Sequence, residues 1–341
     1  MLELFRDLKM NFIKLEKILK KEPNYRLSQI NNAIFRRLIT DWNQASNLSL
    51  NLRQELKKNC PLEIKAETFI SQDKRTIKAQ IILEDKQKIE AVLMCHDGNR
   101  NTVCVSCQVG CSLECKFCLT GKMGFKRNLT ASEIVSQVLF FARYLKSEKE
   151  NVTNIVFMGM GEPFLNYENV LRAIKILNDP RKFNIGARKI SISTAGIVEG
   201  IKKLGLEGLQ VNLAISLHAP DNKLRSKLMP INKKYSLEKI FQAVDEYIKK
   251  TSRRVMFEYL LLKDVNDANE QALELAGLLK NRLCFVNLII YNPTMTKFKA
   301  ADDKQIKKFK KILEEKGIAV TQRYRFGRDI EAACGQLGRN M

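Results

Sequence analysis

The chain has 341 residues, 45% of them hydrophobic, and sets 59 Lys and Arg against 37 Asp and Glu for a formal net charge of +22. That length and apolar content supply a large buried core and exclude wholesale disorder. No run of about 18 apolar residues occurs, which excludes an ordinary membrane-spanning helix.

The N-terminus, Met1-Leu2-Glu3-Leu4-Phe5-Arg6-Asp7, mixes both signs of charge where a signal peptide needs an apolar block. A cytoplasmic protein with no membrane partner is expected. Residues 1–60 read as a helical accessory domain, with Phe12, Leu15, Ile18 and Leu19 at helical spacing and a second pattern through Ile30, Ile34 and Leu38. Residues 61–100 read as a β-hairpin linker region: Ile77, Ala79, Ile81 and Leu83 alternate with polar residues, and Glu90–Met94 follows the polar stretch Glu84–Lys88.

From residue 101 to about 300, short apolar runs alternate with amphipathic stretches. The runs are Val103–Cys107, Ile155–Met158, Ile190–Ser193, Val211–Ser216, Val255–Leu261 and Phe285–Ile290; the stretches include Glu133–Leu145, Val170–Leu177 and Leu237–Ile248. This alternation predicts an α/β fold, a parallel sheet covered by helices, and six such units predict a partial (β/α)6 barrel of TIM type. Thr130-Ala131-Ser132-Glu133 is a capping box that starts the first long helix. Residues 301–341 form a C-terminal extension with a seventh strand candidate, Val320–Tyr324, ahead of Cys334. The excess positive charge is spread along the chain and suits a polyanionic partner, although lysine-rich composition alone also makes a chain basic.

Of nine cysteines, five fall between Cys104 and Cys118. In a cytoplasmic chain such a cluster points to metal or redox chemistry rather than a disulfide framework. Cys111, Cys115 and Cys118, at x3 and x2 spacing, can fold as one loop around a cubane iron–sulfur cluster, leaving one iron open to a small ligand. This spacing is the signature of radical S-adenosylmethionine (SAM) enzymes. The alternative is a zinc ribbon on Cys104, Cys107, Cys115 and Cys118, the site of a non-catalytic RNA-binding module. The next strand ends in Met158-Gly159-Met160-Gly161-Glu162-Pro163, where glycines admit a ligand close to backbone and a carboxylate can take an amine.

With these segments the chain resembles the radical SAM adenine methyltransferases of ribosomal RNA, the RlmN and Cfr family. Further carriers of the resemblance are Cys104-Val105-Ser106-Cys107, Ser191-Ile192-Ser193-Thr194, Ile215-Ser216-Leu217-His218-Ala219-Pro220, Leu228-Met229-Pro230-Ile231-Asn232, Tyr291-Asn292-Pro293 and Ala332-Ala333-Cys334-Gly335-Gln336-Leu337.

The resemblance implies one 4Fe-4S cluster on Cys111, Cys115 and Cys118, and a SAM site from Gly161, Glu162, Ser193, Ser216, Leu217, His218 and Asn292. It implies that Cys334 carries a methyl group to adenine, that Cys104 resolves the covalent RNA–protein intermediate, and that Glu90 accepts a proton. The implied substrates are 23S rRNA and the tRNA adenosine 3′ of the anticodon; the implied partner is an electron donor such as flavodoxin or ferredoxin, serving a monomer. Pro163 and Ala219 match the members that methylate carbon 2, whereas Phe326-Gly327 and Ile290–Pro293 look more like the resistance type that methylates carbon 8. Position 107 is cysteine where family members commonly have serine. Lys126, Arg127, Arg323, Arg325 and Arg328 are candidate phosphate contacts, with solvated surface charge as the alternative.

Overall fold

A computed structural model describes residues 12–294, 296–324 and 326–338. Among them, three helices, α1 (Phe12–Leu19), α2 (Asn24–Asn31) and α3 (Leu50–Asn59), form an N-terminal layer. The Ser49 side chain starts α3 by accepting from the Leu52 N–H. Trp42, fully buried between these helices, satisfies its indole N–H on the Cys60 carbonyl at 2.7 Å. Arg143 fastens this layer to the barrel by donating to the Leu62 and Ile39 carbonyls.

Twelve strands follow: β1 (Ala66–Ile70), β2 (Thr76–Ile82), β3 (Lys88–His96), β4 (Arg100–Cys104), β5 (Gln108–Gly110), β6 (Phe125–Asn128), β7 (Asn154–Phe157), β8 (Ile190–Thr194), β9 (Asn212–Ser216), β10 (Val255–Leu261), β11 (Cys284–Ile290) and β12 (Val320–Gln322). Ten build one sheet in the order β1-β2-β3-β4-β7-β8-β9-β10-β11-β12, while β5 and β6 pair apart. The β2–β3 pair is the expected hairpin, with Ala79 opposite Ala91. It does not stand aside from the barrel, because β3 pairs antiparallel with β4 and so continues the main sheet.

From β4 onward every neighbouring pair is parallel. The order runs from β1 to β12 without closing, so the six expected units form an open barrel and β12 adds the seventh parallel strand. Helices α4 (Leu119–Lys122), α5 (Ala131–Ser147), α6 (Tyr167–Asn178), α7 (Val198–Leu204), α8 (Asn222–Leu228), α9 (Leu237–Thr251), α10 (Asn269–Leu279) and α11 (Asp303–Glu315) lie in the connections. The capping box of α5 forms as read, with Thr130 and Glu133 each taking the other's backbone N–H. Ile134, Val138, Phe141 and Leu145 of α5 are fully buried, the i, i+4, i+7 face that a sheet-covering helix requires.

One strand departs from its expected limits. The run Val103–Cys107 was expected to be strand throughout, yet β4 ends at Cys104. Val105 makes one more bond to β7, donating to Val156 O, before the backbone turns away and Cys107 donates to Met160 O at 2.8 Å. Cys104 therefore stands at the C-terminal end of a parallel strand, the position that carries chemistry in barrels. No helix among the described residues is long and apolar enough to cross a membrane.

Candidate active site

The cysteine loop leaves β5 through Gly110, whose φ of +75° and 1.8 Å clearance from a built Cβ to Gly124 O admit no other residue. Cys111 N–H then donates to Gly124 O at 3.0 Å, and Cys118 N–H to Cys115 O at 3.1 Å, winding the loop tightly. Lys116 N–H anchors it to the Leu228 carbonyl at the end of α8. Beneath lies Arg225, fully buried, donating to the Ala195, Ser216 and Leu217 carbonyls and to Asn232 Oδ1. Its guanidinium ties together the ends of β8 and β9, and sequence reading passed over it.

Cys111, Cys115 and Cys118 line one cavity of about 150 Å³ at the C-terminal mouth of the barrel. Burial pushes the Cys111 thiol up to about 12 and raises Cys115 as well. Such thiols stay protonated until a metal displaces the proton. Among the described residues, no three His, Cys, Asp or Glu side chains converge on a single metal ion. The zinc ribbon lacks an assembled site: Cys104 lines a different recess, and Cys107 is buried with its thiol 3.6 Å from Met160 O. A cubane places less stringent demands, because each thiolate binds its own iron.

Gly161, Glu162, Ser193, Ser216 and His218 line the same cavity from the ends of successive strands. Gly161 has φ +100°, and a Cβ there would sit 2.5 Å from Gln108 Cβ. Gln108 Oε1 accepts the Glu162 N–H at 2.9 Å, holding this turn in place. Glu162 is buried and accepts the Phe164 N–H (3.0 Å) and the Ala195 N–H (2.7 Å), one at each carboxylate oxygen. Burial raises its pKa to about 7, against the opposing pull of those two donors.

Ser193 Oγ donates to Glu258 Oε2 at 2.6 Å and lies 3.3 Å from Ser216 Oγ. His218, with φ +59°, accepts the Leu260 N–H at Nδ1 (3.0 Å), which leaves its proton on Nε2. Burial, reinforced by Arg225, lowers its pKa to about 3, so the ring is neutral. Leu217 lies behind the cavity, donating its N–H to Glu258 O.

A second recess adjoins the first and holds Cys104, Asn292 and Arg323. Cys334 and Met158 line both. The C-terminal tail brings Cys334 there through long-range hydrogen bonds. Leu119 N–H donates to Gly335 O, Thr120 Oγ1 to Leu337 O, and Gln336 Nε2 to Pro293 O, all within 2.8–2.9 Å. Cys334 is exposed, yet its surface opens into this junction, where removal from bulk water pushes the thiol up to about 11 and Arg323 pulls the other way. Burial likewise pushes Cys104 up to about 12, again opposed by Arg323. Asn292 is buried, and its Oδ1 has no hydrogen-bond partner.

Arg323 Nη1 lies 3.5 Å from Glu258 Oε1, so one ion pair links the two chambers. Of the other candidate phosphate contacts, Arg127 is engaged by both Asp85 (2.6 Å) and Glu133 (2.8 Å), and Arg325 lies outside the described residues. Glu90 lines neither chamber. It is buried, 3.3 Å from Lys78 Nζ, and accepts the Gly338 N–H at 2.8 Å, bracing the tail from beneath.

A profile of the radical SAM superfamily matches residues 105–276. The "probable dual-specificity RNA methyltransferase RlmN" of Dictyoglomus thermophilum is 48% identical over 317 residues, covering 93% of this chain and 91% of that protein. The "ribosomal RNA large subunit methyltransferase N" of Nitrosopumilus maritimus is 45% identical, with 92% of each covered. Among solved structures, a radical SAM methyltransferase from Sphaerobacter thermophilus superposes with a TM-score of 0.93 at 44% identity, covering 97% of this chain and 98% of that one.

Proposed function

The chain belongs to the RlmN family of radical SAM RNA methyltransferases, and from that premise we propose that it methylates carbon 2 of adenine in 23S rRNA and in tRNA. The observation that carries the reading is the position of Cys334, which faces the cluster loop on one side and Cys104 on the other. A residue that first receives a methyl group and later yields it to a base in a second chamber needs that double access.

Three thiols on one loop, facing a buried carboxylate and two hydroxyls, suit a 4Fe-4S cluster with one iron left for SAM. Bound there, the cluster supplies the electron that cleaves SAM reductively, the source of the radical this chemistry needs. The remaining work falls to side chains. Glu162 holds the SAM amine, using the lone pairs its two backbone donors leave free. Ser193, Ser216 and the Nε2–H of His218 offer polar contacts around it and Gly161 clears the approach, whereas Leu217 lies behind this cavity and Asn292 lines the adjoining recess.

Cys334 gives up its proton and takes a methyl group from SAM, the sulfonium leaving as a neutral thioether. Arg323 favours the thiolate of Cys334 against the burial that disfavours it. The S-methyl group would lose one hydrogen atom to the deoxyadenosyl fragment of a second SAM, and its carbon would then bond to the base. The adduct sheds one electron, which the bound cluster would accept, and the ring proton. Glu90, buried against Lys78 outside both chambers, is not placed to take that proton. Cys104 then attacks the Cys334 sulfur: an S–S bond forms, the S–C bond breaks, and its electron pair stays with the base carbon, which is protonated to methyl. The Cys104–Cys334 disulfide has to be returned to two thiols by a two-electron dithiol reductant before the next cycle, and an external one-electron donor of the flavodoxin or ferredoxin type would supply the electron for SAM cleavage.

Anaerobic reconstitution tests this reading. About four irons per chain and SAM cleavage are expected, with both lost in Cys115→Ala. Tight stoichiometric zinc without SAM cleavage would overturn it. Glu162 adds a pH signature. Its carboxylate is charged above about 7 and neutral below, so SAM affinity should fall as pH drops through that value. Glu162→Gln should flatten the profile and weaken SAM binding roughly tenfold or more, because an amide cannot satisfy both backbone donors and carries no charge. Isothermal titration across pH 6–8 reads both effects.

A further inference from the structure

The Cys104–Cys334 recess has an aromatic rim that none of the steps above uses. Tyr324 and Phe326 both line it. Tyr324 is 61% exposed at the edge of the recess that holds Cys104 and Cys334. It is not a loose side chain. Its ring packs edgewise on Phe326 with centroids 4.7 Å apart, and Phe326 packs edgewise on His96 at 4.6 Å.

His96 is fixed in turn. Arg100 Nη2 donates to its Nδ1 at 2.7 Å, and its Nε2 reaches Thr102 Oγ1 at 3.3 Å. Burial, with Arg100 beside it, lowers His96 to about 4, so the ring contributes as a neutral aromatic. Arg100 itself is exposed. An exposed aromatic ring braced by two further rings is the kind of platform on which single-stranded RNA recognition stacks a splayed base.

We propose that Tyr324 is the stacking platform for the adenine presented to Cys334. The inference rests on the RNA-methylating reading above and adds to it where the base lies. An adenine whose carbon 2 bonds to the carbon carried by Cys334 must leave its helical stack. Tyr324 lines the recess that holds Cys104 and Cys334, so a base resting against it lies beside the methyl-carrying thiol. The segment that holds the methyl-carrying thiol thus also supplies the surface that aligns its target.

The test uses the reconstituted full chain and a 23S rRNA fragment whose target adenosine is replaced by 2-aminopurine, which loses fluorescence when stacked. Wild type and Tyr324→Phe are expected to quench the probe on binding. Tyr324→Ala is expected to lose the quench and to raise the RNA Kd about tenfold, the scale of one lost stacked base, with its melting temperature unchanged. If Tyr324→Ala keeps both quench and affinity while wild type binds RNA, the platform is wrong and the enzymatic reading stands. If wild type binds no RNA, both fall.

Discussion

Cys334→Ala is expected to abolish RNA methylation, on the order of 10⁴-fold or more in turnover, while iron content and SAM affinity remain at wild-type levels. The separation follows from where the residue sits. Cys334 reaches the cavity from the C-terminal tail, whereas the cluster loop and the Glu162 turn come from β5 and the segment after β7. Tail docking is carried by the Leu119–Gly335, Thr120–Leu337 and Gln336–Pro293 hydrogen bonds, none of which involves the thiol. Truncation to alanine therefore removes the methyl acceptor and leaves its support in place. Intact-mass measurement after incubation with SAM should show S-methylation of wild type and none of the variant. A Cys334→Ala protein that still methylates RNA would remove the carrier role.

Cys104→Ala has a different expected outcome, a stable covalent protein–RNA adduct that approaches one RNA per chain. Without the resolving thiol the S–C bond has no nucleophile to break it. Cys107 is three residues away but should not substitute. It lies outside the recess that Cys104 and Cys334 share, its thiol faces Met160 O, and burial raises its pKa strongly. Denaturing electrophoresis with labelled RNA reads the result directly. Normal turnover by Cys104→Ala would show that another group resolves the intermediate, and appearance of the adduct only in Cys104→Ala/Cys107→Ala would identify that group as Cys107.

The parts of the site legible in the sequence are those written in contiguous residues. Cys111, Cys115 and Cys118 announce themselves because one loop must supply all three thiols, and Gly161-Glu162 because glycine and carboxylate both fall at a strand end. The parallel strands were legible for a similar reason: strands buried on both faces read as unbroken apolar runs. Cys334 was visible only through its flanking motif, since a lone cysteine far along the chain carries no spacing. The Glu258–Arg323 pair went unread. Glu258 sits inside the run Val255–Leu261, which reads simply as strand, and Arg323 reads as a phosphate contact or solvated surface charge until the end of β12 places it beside Cys104. A carboxylate interrupting an otherwise apolar run was the available signal, because a buried charge requires a partner. Strands β1, β5 and β6 were missed because Ala66–Ile70 lacks clean alternation and the other two are three and four residues long.

The central claim is that this chain transfers a methyl group to carbon 2 of adenine in RNA, and nucleoside mass spectrometry tests it most directly. Anaerobically reconstituted protein, a one-electron reductant and SAM would be incubated with unmodified 23S rRNA and, separately, with tRNA, each then digested to nucleosides. The expected result is 2-methyladenosine from both RNAs, absent when Cys334→Ala replaces wild type. Recovery of 8-methyladenosine alone, or of no methylated adenosine from a preparation that cleaves SAM, would contradict it.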